Sequence, residues 1–321
     1  MNLKKIGLTA LAGSLVATSV FAGEMTVTGS ASMKVQHVNG GAANAGKAFS
    51  MGNQLEFKGS GELDNGLNVS LSFVLDQADN AGVADGPFDS HSVSVSSDAL
   101  GTLAFHGEGG STAQSAVDTT AAGDLWDSGF GISAAQDPKA SKGTDNMIFY
   151  TAPTVVDGVA ITASYTPKGT GAGSSTAFGL GYTGVDGLSV NYAQGNDEAT
   201  VGSTADVTTL KASYAYGPVT VGYSTTEYDG ENVGVDVDQD VESYNVSYTV
   251  SDNISVSYGT ETISEPNDTD DQDIEVAGIT ASYTSGGMTI TGKMADADNI
   301  DMTTTTTADR QHWSLVASFA F

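Results

Sequence analysis

The segment Arg310-Gln-His-Trp-Ser-Leu-Val-Ala-Ser-Phe-Ala-Phe321 carries the clearest structural signal in this chain, because apolar and polar residues alternate along it. One face holds Trp313, Leu315, Ala317, Phe319 and Phe321. The other holds Arg310, His312, Ser314 and Ser318, interrupted by the misfit Val316. A period of two residues indicates a β-strand, and about ten residues of tilted strand cross a bilayer. The segment predicts a membrane-crossing strand ending on an aromatic residue, although a strand of a soluble sandwich alternates in the same way.

Residues 1–22 have the layout of a secretory signal peptide. Lys4 and Lys5 precede an apolar stretch over residues 6–16, and small residues lead to Ala22. This order of charge, apolar core and small residues is typical of a cleaved leader. We therefore expect the mature chain to span residues 23–321. The alternative, an N-terminal membrane anchor, is disfavoured because the apolar stretch is short for a spanning helix.

The chain is strongly acidic, with 39 Asp and Glu against 11 Lys and Arg, of which two lie in the leader. Binding to nucleic acid needs a basic surface, so this composition excludes it as a natural partner. The charge favours cations as counterions and as transported solutes. The chain has no cysteine, so an exported form gains no disulfides. No linker or break in composition divides it, which indicates one architecture.

Tight-turn signals recur along the chain, each between two alternating runs. Gly, Asn and Asp tolerate the positive φ that hairpin turns require. The seven signals fall at residues 64–66, 98–101, 156–158, 185–187, 217–218, 251–253 and 285–287. Longer acidic loops separate these hairpins, and the count of runs is sixteen. An even number of antiparallel strands with both termini at the short-turn end permits closure of a barrel.

The alternating runs have one polar and one apolar face, as a barrel with a wet lumen and a lipid-facing wall requires. Leu67, Val69 and Leu71, for example, interleave with Asn68 and Ser70. Four tyrosines near short turns lie on the apolar phase and predict an interfacial aromatic girdle: Tyr182, Tyr216, Tyr248 and Tyr283. The alternative is ordinary tyrosine in a soluble sheet. We predict an all-β fold, a 16-stranded antiparallel transmembrane β-barrel.

Sixteen strands, eight long loops, the final Phe321 and a third loop longer than the rest together resemble the general porins of Gram-negative bacteria. The opening strand 24–38 and the run 145–153 resemble the alphaproteobacterial branch most. The resemblance implies an outer-membrane homotrimer of water-filled channels, each narrowed by an inward-folded third loop. Porins often have an arginine where this chain has Phe149, so part of the usual basic wall is expected to be missing. Small outward residues predict the trimer seam: Gly29, Ala31, Gly59 and Gly61.

Five basic residues fall on the polar phase of their strands and are therefore predicted to line the pore. They are Lys34, Lys58, Lys211, Lys293 and Arg310. All but Lys211 lie on strands that become neighbours when the barrel closes, so they predict a basic arc. The alternative is that any barrel lysine points inward simply because lipid excludes charge.

The long third loop, residues 109–145, carries the acids Asp118, Asp124, Asp127 and Asp137, with Trp126 between two of them. If this loop folds inward, its carboxylates face the basic arc across a constriction. Opposed charges on rigid walls orient dipolar solutes and set ion preference. The alternative is a solvated extracellular loop.

Three other sequence features do not predict a further function. Acidic clusters at residues 236–240, 268–273 and 296–301 can bind Ca²⁺ or Mg²⁺, but none matches an EF-hand and a solvated acidic rim is the simpler interpretation. The G-x-G-x-x-G run at 179–184 leads into another strand, so it does not predict nucleotide binding. Four scattered histidines lack the spacing of metal ligands, and we predict no metal site there, no cofactor and no catalytic activity.

The sequence thus predicts an outer-membrane porin that lets small hydrophilic solutes and ions, preferably cations, diffuse passively. Membrane lipid and small solutes are its expected partners. Three alternatives stay open at this point. One is a substrate-specific channel with an anion site at the basic arc, another is a non-conducting surface barrel, and the third is a barrel hydrolase with a Ser–His pair across neighbouring strands.

Overall fold

The computed structural model describes residues 23–40, 46–76, 89–142, 145–167, 173–200, 203–232, 235–236, 238–266, 272–302 and 308–321. The predicted leader, residues 1–22, lies outside these ranges, and its cleavage stays a prediction. None of the described residues belongs to a helix that is long and apolar enough to cross a membrane.

The described residues form seventeen strands in a single sheet. Their bounds are β1 Glu24–Asn39, β2 Gly46–Glu62, β3 Asn68–Asp76, β4 Ser90–Ser97, β5 Gly101–Glu108, β6 Met147–Thr151, β7 Val159–Thr166, β8 Ser175–Tyr182, β9 Leu188–Thr200, β10 Ser203–Tyr216, β11 Val219–Asn232, β12 Val235–Asp236, β13 Gln239–Ser251, β14 Ile254–Ser264, β15 Ile274–Ser285, β16 Met288–Asp298 and β17 Arg310–Ala320.

The sheet closes on itself. Each long strand pairs antiparallel with the next long strand along the chain, and β1 pairs with both β2 and β17. The two-residue β12 pairs only with the end of β11, so sixteen strands make the wall. Closure leaves no unpaired sheet edge, which is what lets strands cross lipid. The predicted 16-stranded barrel is confirmed.

The seven predicted tight turns all fall between strands. The connection between β9 and β10 is short where a long loop was predicted, because β9 extends to Thr200 and β10 starts at Ser203. Both strands carry alternating residues beyond the length a bilayer needs, so pairing continues where a loop was expected.

Strand alternation separates an exposed apolar face from a polar inner face. Tyr182, Tyr216, Tyr248 and Tyr283 are all exposed on the outer face near short turns, as an aromatic girdle requires. Val316 lies on the inner face, because it pairs with Lys34 on β1 and Thr291 on β16. The register of β17 with both neighbours is unbroken, so this apolar residue does not mark a bulge.

An apolar cluster inside the barrel departs from the simple rule of polar inner faces. It joins inward residues of four neighbouring strands to residues of two connections. The wall contributes Val241, Ile263, Ile274, Val276, Ala295 and Ala297, and the connections contribute Leu125, Phe130, Ile300, Met302 and Ala308. All are buried. Alternation along these strands predicted the outer face correctly but not this inner packing.

Candidate pore constriction

The connection between β5 and β6, residues 109–146, is the longest in the barrel, and we call it the constriction segment. Its first half follows the inner face of the wall from β7 towards β14. The Ala113 amide donates to Ser164 Oγ on β7 over 2.9 Å, and Gln114 Nε2 donates to Thr209 Oγ1 on β10 over 2.9 Å. Ser243 Oγ on β13 then accepts from two consecutive amides at 3.0 Å.

The second half returns along the same part of the wall. The Lys139 amide donates to Gln239 Oε1 on β13 over 2.8 Å, and the Lys142 amide donates to Asp197 Oδ2 on β9 over 2.7 Å. Gln239, Asp197 and the wall residues of the outgoing path are buried under the segment. Wall side chains thus supply the hydrogen-bond partners that a segment without secondary structure lacks.

Glu261 on β14 holds the middle of the constriction segment. One carboxylate oxygen accepts from the Leu125 amide over 2.9 Å, and the other accepts from the Trp126 amide over 2.8 Å. The side chain is 1% exposed. A buried carboxylate is stable only when its oxygens are satisfied, and charge-assisted bonds are the strongest available. Glu261 is therefore the main polar anchor of the segment.

Apolar packing adds to this polar anchoring. Leu125 and Phe130 enter the cluster on the inner wall, and the Phe130 ring meets the His312 ring of β17 edge-on at 5.9 Å. Gly278 makes room for Leu125, since a Cβ there would lie 3.0 Å from Leu125 Cδ2. The side of the segment that carries Leu125 and Phe130 thus packs against the wall. Its opposite side is turned away from the wall.

The five predicted pore-lining cations all lie on the inner phase, but they differ in their contacts. Lys211 Nζ is 2.7 Å from Asp118 Oδ2 and also donates to the Thr120 carbonyl over 2.7 Å. Lys58 Nζ is 2.9 Å from Glu56 Oε1. Arg310 is buried, and its Nη1 donates to the Asp309 carbonyl over 2.9 Å. Arg310 is therefore withdrawn from solutes by burial, while the charges of Lys211 and Lys58 are offset by a neighbouring carboxylate even though the Lys58 side chain is 59% exposed.

The other two cations have no ion-pair partner among the described residues. Lys293 on β16 donates to Ser128 Oγ over 3.4 Å, and Lys34 lies on β1. The order β16, β17, β1, β2 in the closed sheet brings Lys293, Arg310, Lys34 and Lys58 onto neighbouring strands. The register brings only Lys34 and Lys293 to a similar level, opposite Val316 and Ser314 of β17. Lys58 lies opposite Thr26, eight residues along β1 from Lys34, and Arg310 lies beyond the end of the β1 pairing, so the four cations do not form one arc.

The four predicted acids of the constriction segment also differ in their surroundings. Asp118 is paired with Lys211, so this acid does not face the basic arc across open water, as the sequence had suggested. Asp124 and Asp127 are exposed. Asp124 has a left-handed φ of 51°, and its carboxylate accepts from Thr120 Oγ1 over 3.0 Å and from the Trp126 indole over 3.2 Å.

The fourth acid, Asp137, is half-buried. Burial and the nearby Asp127 carboxylate raise the pKa of Asp137, while the Lys139 ammonium opposes this shift. Burial likewise lowers the pKa of Lys139, against the opposing charges of Glu265 and Asp137. The return path of the segment therefore carries a carboxylate that binds a proton more readily than an ordinary aspartate.

Sequence reasoning missed the wall residues that hold the segment, above all Glu261, Gln239 and Asp197. One signal was available for Glu261: it lies in a predicted strand on the phase opposite to the apolar Ile254, Val256 and Tyr258, which assigns this acid to the inner face. Phe149 on β6 pairs with Ala104 and with Ser164, which is buried under the segment, so Phe149 lies on the inner face. The apolar Phe149 therefore occupies an inner-wall position at which the resemblance to porins leads us to expect an arginine.

A closed sixteen-strand wall with an apolar exterior, a polar interior and a long internal segment defines a transmembrane β-barrel channel. A family model described as Gram-negative porin matches residues 7–290, and the chain belongs to that family. It is therefore an outer-membrane channel for passive diffusion, as predicted. No curated protein sequence matches the chain.

Solved porin structures share this fold at low sequence identity. An anion-selective porin from Comamonas acidovorans superposes with a TM-score of 0.72 at 16% identity, over 93% of this chain and 100% of its own. The in-vitro folded trimer form of OmpT, an outer-membrane protein of Vibrio cholerae, gives 0.71 at 14% identity, over 94% and 100%. Both are similar to this chain in fold.

Proposed function

We propose that this porin prefers cations and that the constriction segment sets this preference. The observation that carries the proposal is the uneven exposure of the lumenal charges that form no ion pair among the described residues. Asp124 and Asp127 are exposed, whereas Lys34 and Lys293 are half-buried. The other three basic residues are buried (Arg310) or ion-paired (Lys58 and Lys211). Charges that are already paired add little to the field that a passing ion meets.

The overall charge acts in the same direction. With 39 acidic residues against 11 basic ones, the protein attracts counterions to its mouths before any constriction is reached. Salt screens this contribution over about 10 Å at 0.1 M, while charges within the narrow lumen are screened less. The fold alone does not decide selectivity, since an anion-selective porin shares it.

The test is the reversal potential of single channels in a planar bilayer under a KCl gradient. We expect open currents that reverse on the cation-selective side. The double variant Asp124→Asn with Asp127→Asn should move the reversal potential towards zero, and Asp157→Asn, in the exposed turn before β7, should leave it unchanged. An anion-selective wild type would favour the alternative of an anion site at Lys34 and Lys293. Absence of current from folded protein would favour a non-conducting surface barrel.

The constriction segment is also proposed to narrow the channel, and hence to limit the size of the hydrophilic solutes that pass. Its hydrogen bonds to β7, β9, β10, β13 and β14 support this, because they hold it along the inner wall. Transport through such a pore is diffusion down a gradient, and we propose that the protein has no catalytic role. Porins of this family are channels.

We propose that the protein assembles as a homotrimer through the outer faces of β1, β2, β16 and β17. An apolar groove of about 600 Å³ runs over these strands, and the similar OmpT structure is a trimer. The groove is lined by Met33, Val35, Phe49, Met51, Ile290, Leu315 and Ala317. Phe49 and Met51 are 85% and 64% exposed, a large apolar area that a neighbouring subunit or lipid must cover.

Gly59 offers the sharpest test of this seam. A Cβ at Gly59 meets nothing within 4 Å, so Gly59→Trp adds bulk without disturbing the barrel. Gly29 is unsuitable, because a Cβ there would strike the Phe321 ring. We expect monomers for Gly59→Trp and trimers for Ala212→Trp, a matched change on the outer face of β10, when both are measured by light scattering in detergent. Trimers of Gly59→Trp would contradict the seam.

Divalent cations are proposed for the acidic outer loops. Asp268, Asp270 and Asp271 lie outside the described residues, and within the described ones no three acidic or histidine side chains converge as a metal site requires. Bridging between loops by Ca²⁺ or Mg²⁺ would show as a fall in the unfolding temperature when EDTA is added. An unchanged temperature would contradict it.

A further inference from the structure

Trp126 occupies an unusual place for an indole. It lies half-buried on the constriction segment, packed on one side against the inner apolar cluster with the rest of its surface open, whereas Trp313, the other tryptophan of the chain, lies on the outer face of β17. Exposing an aromatic ring to channel water forgoes the free energy of burying it. Its indole N–H is already satisfied by Asp124 Oδ1 at 3.2 Å, so what remains open is apolar ring surface.

The ring is held rigidly. The Trp126 amide is fixed by Glu261 over 2.8 Å, and the preceding Leu125 is 2% exposed in the inner apolar cluster. Asp124 is fixed as well, because its amide donates to Thr120 Oγ1 over 3.0 Å while its carboxylate accepts from the same hydroxyl. A rigid recognition surface binds a solute without losing conformational entropy of its own.

Two carboxylates adjoin this ring along the chain: Asp124, which accepts from the indole N–H, and Asp127, the next residue. Asp124 and Asp127 are both exposed, and neither forms an ion pair in the part of the chain that the structure describes. Lys293 reaches Ser128, one residue beyond Asp127, and marks the basic edge of the surface. An aromatic face beside two carboxylates matches a cation with an organic body. The charge pairs with carboxylate oxygens, and an ammonium or guanidinium plane also rests on a ring.

We propose that Trp126, Asp124 and Asp127 form a binding subsite for organic cations bearing ammonium or guanidinium groups. The subsite deepens the cation-preferring pore proposed above and rests on it. Potassium ions use only the carboxylates, while an organic cation also uses the ring. The subsite therefore favours organic cations over inorganic ones of equal charge during passage.

Agmatine, which carries one ammonium and one guanidinium group, is a suitable probe. Added to single channels in KCl, it should interrupt the potassium current in a saturable manner, whereas neutral triethylene glycol should not saturate. Trp126→Leu keeps apolar bulk but removes the ring face, and we expect it to weaken the agmatine blocking constant by about threefold to tenfold. Asp127→Asn should weaken it by a similar factor, and Asp157→Asn should not change it. Circular dichroism confirms that each variant is folded.

The outcomes separate this inference from the proposed selectivity. A wild-type channel that is cation-selective but shows no saturable block by agmatine refutes the subsite and leaves the selectivity standing. Block that weakens in Asp127→Asn but is unchanged in Trp126→Leu also refutes it, because charge alone then explains binding. An anion-selective reversal potential overturns the cation preference itself, whatever agmatine does.

Discussion

Replacing Glu261 by glutamine tests whether this one side chain holds the constriction segment in place. The two side chains have nearly the same shape, so packing on β14 is preserved. In the native protein, the two carboxylate oxygens accept from the Leu125 and Trp126 amides over 2.9 Å and 2.8 Å. Glutamine keeps one oxygen but presents an NH₂ group to the other amide. That buried N–H then faces a donor and loses its partner.

The size of the effect follows from this geometry. Leaving a buried donor unsatisfied costs about 1–3 kcal/mol, and weakening a charge-assisted bond to a neutral one costs about 1 kcal/mol. Part of this is offset because a neutral amide is less costly to bury than a carboxylate. A net loss of about 2 kcal/mol in the local stability of the segment is expected, which is roughly a thirtyfold shift towards detachment.

Hydrogen exchange measures this shift directly. Peptides covering residues 121–127 should exchange about thirtyfold faster in Glu261→Gln than in the wild type, while peptides from β3 and β4 should not change. Single-channel currents should become noisier as the segment leaves the wall more often. Glu62→Gln, an exposed acid at the end of β2, is the matched control. Wild-type exchange and wild-type noise in Glu261→Gln would refute the assignment of Glu261 as the main anchor.

Three further predictions concern the same lumen. Leu125→Ala leaves a cavity beside Gly278 and should destabilise the segment by about 2–5 kcal/mol, seen as faster exchange of residues 121–127; native exchange rates would contradict the packing. Lys211→Met frees the Asp118 carboxylate and should make the reversal potential in a KCl gradient more cation-selective, whereas an unchanged potential would show that the pair lies outside the ion path. Because the pKa of Asp137 is raised, this carboxyl takes up a proton at a higher pH than usual, so cation preference should begin to fall early on acidification. Asp137→Asn should abolish that early step, and a persisting step would assign it elsewhere. By the same linkage, the folded segment binds this proton more tightly than the unfolded chain, and protonation of Asp137 stabilises it.

The wall of the barrel was predictable because lipid imposes a strict rule on one face of every strand. Alternation assigned the faces of β17 correctly, including Val316, whose register with Lys34 and Thr291 is regular. The strand ends were predictable for a different and purely local reason: tight turns need positive φ, which few residue types tolerate. The extension of β9 and β10 escaped notice because strand pairing above the membrane carries no such rule.

The path of the constriction segment was not predictable beyond its length. Its anchors join residues far apart in sequence, such as Leu125 with Glu261, and no periodicity links them. The pairing of Asp118 with Lys211 is equally invisible to alternation, which assigns a face to a residue but no partner. Alternation thus assigned the five basic residues to the inner phase of their strands, but the contacts of the predicted acids and bases could be learned only from the structure.

The inner apolar cluster links the predictable wall of the barrel to the path of the constriction segment. Inward positions such as Val241, Ile263 and Val276 make part of the lumenal wall unsuitable for water, so something apolar must cover them. Leu125 and Phe130 do so, and the segment is thereby turned with its apolar side to the wall. Asp124 precedes Leu125 in sequence, and Asp127 lies between Leu125 and Phe130. Both acids are left exposed. Hydrophobic packing therefore does more than stabilise the segment: the wall selects the orientation of the segment, and that orientation selects which of its carboxylates are exposed.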